Sequence, residues 1–275
     1  VTDEPRPIRG RRPRPREDAP RPGKRPPLRV FTTTLWEYPS QHYDSATSGG
    51  RVGSTEQGDK GYAGATPSWV VWQVLQRYTR EGDVVVDPMC GSGTTLDVCR
   101  DLGRRGVGFD VAPARSDIAE ADARELPLEN ESADFLFVDP PYSTHIDYSD
   151  DPRCIGKLDA GAEPEGDAGQ MGEAYYDAME EVAGEIERIL KPGRYAAIYV
   201  SDSFKKRKGI GGGLFMPIGF ELFSIVRDYL QPVDIVAVAR QNAKLKRGNW
   251  HKAAQDQNFF LRGFNYLLLF RKARG

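Results

Sequence analysis

The sequence predicts a doubly wound, Rossmann-like α/β domain. Short apolar runs that suit buried strands alternate with longer segments in which apolar residues recur every three or four positions, as on one face of a helix. Several of the apolar runs end at or beside an aspartate, so a parallel sheet would collect carboxylates at one edge. A glycine-rich turn follows one of these runs and leads into a helical segment. Together these observations indicate one mostly parallel sheet with helices on both faces.

The first 29 residues predict a disordered basic tail. They contain eight prolines, and ten Lys or Arg against four Asp or Glu, with almost no apolar side chains. Such a segment cannot bury enough apolar surface to offset the entropy lost on ordering. We therefore expect a single folded domain over residues 30–275, which begins with an irregular, aromatic-containing lead-in that packs on the domain.

Charge is distributed unevenly along the chain, although the net charge is only −2. Residues 112–192 carry six Lys or Arg against 21 Asp or Glu, whereas residues 202–252 carry ten against four. A local basic face of this kind suits nucleic acid, although ordinary solvated surface explains the charge equally well. The three cysteines lack paired spacing, and no apolar run suits a signal peptide or a membrane span. The expected location is therefore the reducing cytoplasm.

Helix signals recur along the chain. Thr66-Pro67 indicates a helix start, with Thr66 as the capping hydroxyl and Pro67 at the first helical position. A later helix is expected from Tyr175 to Ile189, stopped by Pro192-Gly193. Another is expected at 218–230. The strands are expected at 84–86, 107–109, 118–123, 135–138, 195–200, 233–238 and 265–270.

Residues 84–95 read Val-Val-Val-Asp-Pro-Met-Cys-Gly-Ser-Gly-Thr-Thr and predict a strand, a glycine turn and a helix start, a junction that suits a nucleoside. No lysine follows the last glycine, so the turn is not a P-loop. Leu96 occupies the third glycine position of the dinucleotide motif, which excludes that motif as well. The turn therefore favours a nucleoside without a pyrophosphate. S-adenosylmethionine fits: its ribose would meet Asp110, its adenine amine Asp122, and its charged amino-acid end Asp87.

A second motif, Asp139-Pro140-Pro141-Tyr142, ends the run at 135–138. Methylating an exocyclic amine is difficult because the nitrogen lone pair is delocalised into the ring. The Asp139 carboxylate and the Pro140 carbonyl could each accept one N–H and direct the lone pair at a methyl group. The prolines stiffen the turn, and Tyr142 offers a flat face on which an extruded base can stack.

These two motifs together resemble the DNA amino-methyltransferases, which methylate adenine N6 or cytosine N4, and the resemblance spans roughly residues 66–200. It implies a class I methyltransferase sheet with an antiparallel strand near the C-terminus, S-adenosylmethionine as donor, base flipping and direct transfer. It also makes a cognate restriction endonuclease a candidate partner. The catalytic motif is Asp139, Pro140, Pro141 and Tyr142. The cofactor residues implied are Thr66, Pro67, Asp87, Pro88, Met89, Cys90, Gly91, Gly93, Thr94, Thr95, Asp110, Val111, Asp122 and Ala123.

Only about fifty residues separate the two motifs, so recognition must come from elsewhere in the chain. The candidate recognition loops lie near 143–171, 203–215 and 240–258. The expected nucleic-acid contacts are Lys205, Lys206, Arg207, Lys208, Lys246, Arg247 and Trp250. Trp250 could equally anchor its loop to the core. Two alternatives remain open: an RNA methyltransferase acting on guanine N2 or adenine N6, and a methyltransferase fold that binds nucleic acid without catalysis.

Overall fold

The computed structural model describes residues 27–45, 57–59, 61–164, 169–206, 213–240, 248–256 and 258–274. Its helices are α1 (Ser68–Tyr78), α2 (Thr94–Leu102), α3 (Glu173–Ile189), α4 (Ile218–Val226) and α5 (Gly248–Asp256), with a 3-10 turn at Ile155–Lys157. Its strands are β1 (Leu35–Trp36), β2 (Val84–Asp87), β3 (Arg105–Asp110), β4 (Ile118–Glu120), β5 (Ala133–Val138), β6 (Leu190–Val200), β7 (Ser203–Lys206), β8 (Gly213–Met216), β9 (Gln231–Ala239) and β10 (Phe264–Arg271).

Eight of these strands form one sheet, in the order β1-β9-β10-β6-β5-β2-β3-β4. Strand β10 runs antiparallel to both of its neighbours, β6 and β9, while the other described pairs in this sheet are parallel. A late antiparallel strand inserted beside a parallel set is the class I methyltransferase arrangement, so this prediction is confirmed. The parallel strands β2, β3 and β5 bring their carboxyl ends to one edge, where the glycine turn and the second motif lie.

Helices cover both faces of the sheet. Val85, Phe135 and Phe137 face α1 and α2, whereas Val86 and Leu136 face α3 and α4. All six residues of β5 are buried. A strand buried on both faces reads as a continuous apolar run, and this explains why the sequence located β5 within two residues. None of the described helices is long and apolar enough to cross a bilayer.

The lead-in packs on the domain, as predicted. Trp36, Tyr38 and Tyr43 are buried with the residues of α1. Its residues 35–36 also form β1, which pairs with the edge strand β9. Leu28, near the end of the predicted tail, is already buried. The rest of that tail, residues 1–26, lies outside the described residues.

Two predicted helix signals were wrong. Pro67 is the residue before α1, in an extended conformation, and the hydroxyl of Thr66 does not cap the helix. Pro192-Gly193 does not stop α3, because α3 ends at Ile189 and β6 begins at Leu190. Both residues lie within β6. Gly193 adopts a φ of 77°, and the pairing of β5 with β6 shifts register between Ala133 and Phe135. An irregularity of this kind lets a strand absorb a proline and a glycine.

Three segments predicted as loops are more ordered than expected. Strands β7 and β8 form an antiparallel hairpin within the predicted loop 203–215. Helix α5 lies within the predicted loop 240–258, and none of its residues is buried. In the loop 143–171, Ile155 and Ala160 are buried against the core. Predicted strand 118–123 is shorter than expected, because β4 ends at Glu120 and Asp122 forms only an isolated bridge.

Candidate active site

The glycine turn needs its glycines for their backbone geometry. Gly91 and Gly93 adopt φ values of 48° and 79°, in the left-handed region that side chains disfavour. A Cβ on Gly93 would lie 2.4 Å from Arg115 Nη1, and one on Gly91 would lie 3.1 Å from the Tyr62 ring. The Cys90 N–H donates to the Phe109 carbonyl at 2.8 Å, which ties the turn to β3. The backbone therefore passes close to both Arg115 and Tyr62.

Two aspartates hold this turn in different ways. Asp87 is buried, and it accepts hydrogen bonds from the Thr95 hydroxyl at 2.5 Å and from the Met89 N–H at 3.1 Å. Asp110 is half-buried and accepts from the Gly91 N–H at 2.9 Å. Because a carboxylate has about four acceptor positions, Asp110 keeps capacity for a ligand hydroxyl. Asp87 thus shapes the turn from behind, while Asp110 faces the cavity.

A first cavity opens in front of the turn, and the predicted residues divide around it. Thr66, Pro88, Met89, Cys90, Gly91, Asp110, Val111, Asp122 and Ala123 line it. Asp87, Gly93, Thr94 and Thr95 do not line it, and Pro67 lines the neighbouring cavity instead. The four that do not line it lie behind the turn or in the first turn of α2. Asp87 does not line the first cavity, so a direct contact of Asp87 with the ligand stays a prediction.

The charges of the first cavity suit a cationic nucleoside. Three carboxyl groups, Asp110, Asp122 and Asp139, line it beside a single arginine, Arg153. That arginine is already paired with Asp151 and Glu120, each at 2.7 Å. Burial raises the pKa of Asp122, but hydrogen bonds from Arg124 outweigh it and lower that pKa below its usual value. An acidic wall of this kind disfavours phosphates and fits a sulfonium nucleoside with a ribose and an amino-acid end.

A covering segment, residues 57–59 and 61–66, lies across the turn. The Gly58 N–H donates to Asp97 Oδ2 at 2.9 Å, and Gln57 Nε2 donates to Asp101 Oδ2 at 3.2 Å, so the segment is fixed to α2. Its residues Tyr62, Gly64, Ala65 and Thr66 line the first cavity. Burial raises the pKa of Tyr62 to about 12, so its hydroxyl stays protonated. In the sequence, only scattered aromatic residues and glycines mark this segment.

Asp139 is held by donors from two elements. Thr66 donates to Asp139 Oδ2 at 2.6 Å, and the Tyr142 hydroxyl donates to Asp139 Oδ1 at 2.8 Å. Asn265 of β10 in turn donates to the Tyr142 oxygen at 3.3 Å and accepts a hydrogen bond from Arg240. A chain of hydrogen bonds therefore runs from Arg240, just after β9, through Asn265 of β10 to the turn that follows β5.

Asp139 lies in the wall shared by two cavities. Burial raises the pKa of Asp139 to about 7, although the hydroxyls of Thr66 and Tyr142 act to lower it. The second cavity, of about 880 Å³, is lined by Asp139, Tyr142, Arg240 and Asn265 among others. That volume lies within the range of small-molecule sites. One carboxyl group can thus contact ligands in both cavities.

The remaining residues of the second motif have distinct surroundings. Pro140 is buried and lines neither cavity, whereas Pro141 lines the first. The Pro141 carbonyl accepts the Tyr175 hydroxyl at 2.8 Å. Ser143, which follows the motif, adopts a φ of 63° and accepts the Ala160 N–H at 2.9 Å. The turn is therefore fixed both by its prolines and by contacts to α3 and the following loop.

Several residues of the two cavities were not predicted. Tyr148 lines both cavities, and Arg240 and Asn265 line the second. Tyr148 follows the second motif by six residues, within the loop predicted to act in recognition. Asn265 is buried and lies on the last strand, where the sequence shows only one polar residue in an apolar run.

The predicted nucleic-acid contacts are only partly described. Lys205 is exposed and pairs with Asp159, and Trp250 is half-buried and lines the second cavity. The backbone of Lys206 belongs to β7. Arg207, Lys208, Lys246 and Arg247 lie outside the described residues.

Comparisons with known proteins give relatives over part of the chain. The type II methyltransferase M.MjaII of Methanocaldococcus jannaschii is 34% identical over 68 residues, which are 25% of this chain and 13% of that protein. M.ScaI of Streptomyces caespitosus is 33% identical over 104 residues, 36% of this chain and 32% of that protein. The chain thus matches at most about a third of the length of either relative.

The structural neighbours have low sequence identity. An S-adenosylmethionine-dependent methyltransferase from Methanosarcina mazei superposes with a TM-score of 0.44 at 12% identity, covering 74% of this chain and 98% of that one. The family model described as DNA methylase matches residues 9–121, which include α1, the glycine turn and Asp110. The part of the chain that carries the glycine turn is therefore similar to the DNA methylase family.

Proposed function

We propose that this protein transfers a methyl group from S-adenosylmethionine to the exocyclic amino group of a DNA base, at adenine N6 or cytosine N4. The observation that carries the proposal is the position of Asp139, between the cavity of the glycine turn and the second, larger cavity. A group that lies between a donor pocket and an acceptor pocket can act on the atom that passes between them. The family match over residues 9–121 supports the same chemistry.

In this proposal the first cavity holds the cofactor. When bound, S-adenosylmethionine supplies an electrophilic methyl group on a sulfonium. Asp110 would accept hydrogen bonds from the ribose hydroxyls, Asp122 would accept from the adenine amine, and Tyr62 would cover the bound nucleoside. The left-handed glycines keep the turn free of side chains where the ligand approaches.

The second cavity would hold the extruded base, with its amine beside Asp139. The carboxylate accepts one N–H of the amine and draws the nitrogen lone pair out of conjugation with the ring. The hydroxyls of Thr66 and Tyr142 hold the two carboxylate oxygens in place for that contact. The proton that the nitrogen loses leaves to solvent or to Asp139. Acceptance of the second N–H by the Pro140 carbonyl remains a prediction, since Pro140 lines neither cavity.

DNA is favoured over RNA as the substrate because the matching family model is described as DNA methylase. The curated relatives M.MjaII and M.ScaI are named type II methyltransferases. Their type II designation also supports a cognate restriction endonuclease as a partner of this protein. That part of the proposal predicts that host DNA carrying the modification resists cleavage by the partner enzyme.

The experiment is long-read sequencing of DNA from a methylation-deficient host that expresses the protein. Modified adenine or cytosine at a recurring sequence is the expected result, and it identifies the base and its context together. The Asp139→Ala variant should leave the DNA unmodified while it still binds S-adenosylmethionine in calorimetry.

Asp228→Ala provides the matched control, because Asp228 is exposed, lines neither cavity and lies outside the candidate recognition loops. This variant should modify DNA at the wild-type level. Modification by Asp139→Ala at a rate near that of the wild type would refute the role of Asp139. Modification of RNA alone would refute the proposed substrate.

A further inference from the structure

Exposed aromatic side chains lie at or near the second cavity: Phe260 lines it, Phe215 contacts the lining residue Arg262, and Phe264 precedes the lining residue Asn265. Phe260 is 86% exposed, Phe215 46% and Phe264 43%, and we call these three residues the aromatic rim. Burying a Phe side chain contributes roughly 1.5–3 kcal/mol, so such exposure is unfavourable unless a partner covers it. Exposed aromatic side chains that cluster beside a cleft are typical of binding surfaces.

The rim is continuous with the candidate active site. Phe259, Phe260 and Arg262 line the same cavity as Asp139. Phe259 stacks on Phe204 of β7, with ring centroids 5.1 Å apart and planes 19° apart, so the segment before the rim is anchored. Phe260, the next residue, also lines this cavity and is largely exposed. Its ring is therefore presented at the entrance through which a base would reach Asp139.

Cationic groups accompany the rim. The Arg262 guanidinium lies over the Phe215 ring, 5.0 Å from its centroid, and Arg262 Nη2 donates to the Phe260 carbonyl at 2.8 Å. Arg262 Nε is buried without a hydrogen-bond partner among the described residues. The sequence from 202 to 252, which contributes other walls of this cavity, carries ten Lys or Arg against four Asp or Glu. Aromatic faces beside a guanidinium group complement stacked bases and phosphates.

We propose that Phe260 inserts into double-stranded DNA, in the space that the target base vacates, with Arg262 beside it at a neighbouring phosphate. This inference rests on the proposed function. When the target base leaves the duplex and enters the second cavity, the Phe260 ring takes its place between the neighbouring bases. An apolar ring inserted between base pairs stabilises the opened duplex. DNA is favoured over a protein partner because Phe260 and Arg262 line the same cavity as Asp139, the cavity that would hold the base.

The test is duplex binding, which needs neither catalysis nor knowledge of the recognition sequence. Two duplexes of the same sequence are compared by fluorescence anisotropy, one intact and one with a central abasic site that already provides the gap. Base–aromatic stacking predicts that the wild-type protein binds the gapped duplex about tenfold more tightly. Phe260→Ala should remove that preference and bind the two duplexes alike.

Phe220→Ala is the matched control, since Phe220 is 62% exposed on α4 and lines neither cavity. It should retain the preference of the wild type. Arg262→Gln should weaken binding to both duplexes equally and reduce the salt slope by about one. Thermal melting of each variant confirms that it is folded.

The inference is overturned if the wild type binds both duplexes equally, or if Phe260→Ala keeps the preference. An equal preference for a gapped RNA duplex would overturn the choice of DNA. Because binding is measured without methyl transfer, a protein that prefers the gap but modifies no DNA would contradict the proposed function alone. A protein that modifies DNA but shows no preference would contradict the insertion alone.

Discussion

The pH dependence of methyl transfer tests the chemistry of Asp139. Burial raises the pKa of this carboxyl group to about 7, against the donors Thr66 and Tyr142 that lower it. Only the ionised form leaves both oxygens free to accept, because the carboxylic acid carries a proton on one of them. We therefore expect kcat/KM to increase with pH and to level off above the pKa. From one pH unit below the pKa to one unit above it, the ionised fraction rises roughly tenfold, and kcat/KM should rise with it.

The same pKa makes a stability prediction. An aspartate in the unfolded chain has a pKa of about 3.9, so the pKa of Asp139 is about three units higher in the folded protein. This difference corresponds to a change of at most about 4 kcal/mol in the free energy of unfolding. Between these two values the folded state holds the proton and the unfolded state does not. The contribution of Asp139 to the free energy of unfolding is therefore fully present below pH 4 and is lost as the pH rises to about 7. Asp139→Asn should remove that loss and be more stable than the wild type at pH 8.

The assay measures initial rates of methyl transfer from pH 5.5 to 8.5 at limiting DNA, with denaturant unfolding of each variant at pH 4 and pH 8. Burial also raises the pKa of Asp87 to about 7, so a second variant separates the two groups. Asp87→Asn should keep the rise in kcat/KM near pH 7 whatever its absolute rate. A profile that is flat across this range, or that loses its rise in Asp87→Asn, would refute the assignment to Asp139.

Three other predictions concern the first cavity and its edge. Asp110→Ala should weaken S-adenosylmethionine binding about tenfold or more in calorimetry, because it removes the acceptor beside the turn; an unchanged affinity would contradict its ribose role. Thr66→Val should move the rise in kcat/KM to higher pH, because the Asp139 carboxylate loses a donor that favours its ionised form; a profile that stays in place would show that this hydrogen bond does not tune the group. Gly93→Ala should lower the free energy of unfolding by about 1–3 kcal/mol, because it forces a side chain to a φ of 79° and against Arg115; a melting temperature equal to that of the wild type would contradict the close approach.

The strands of the sheet could be predicted because burial on both faces leaves a continuous apolar run in the sequence. Strand β5 and the strand before the glycine turn are of this kind, and both lie where the pattern placed them. The expectation of an antiparallel strand near the C-terminus came from the resemblance carried by two short motifs. The apolar run of β10 indicates a strand but not its direction, so the antiparallel orientation could not be predicted from the residues of β10.

The contacts of the site could not be read from local patterns. Thr66 precedes a proline and a helix, where local chemistry favours a cap, but its hydroxyl instead donates to Asp139, 73 residues away. The partner of Tyr142, Asn265, lies 123 residues away. The aromatic rim carries no motif, because exposed phenylalanines have no periodicity to distinguish them. Contacts between side chains that are far apart in the sequence can be identified only once the fold is known.

The covering segment has a consequence for ligand affinity. Its hydrogen bonds to Asp97 and Asp101 of α2 hold Tyr62 over the glycine turn. A preorganised binding wall loses little conformational freedom when a ligand binds, so more of the contact energy appears as affinity. A flexible nucleoside can in this way be contacted from two sides, by the glycine turn and by the covering segment that carries Tyr62.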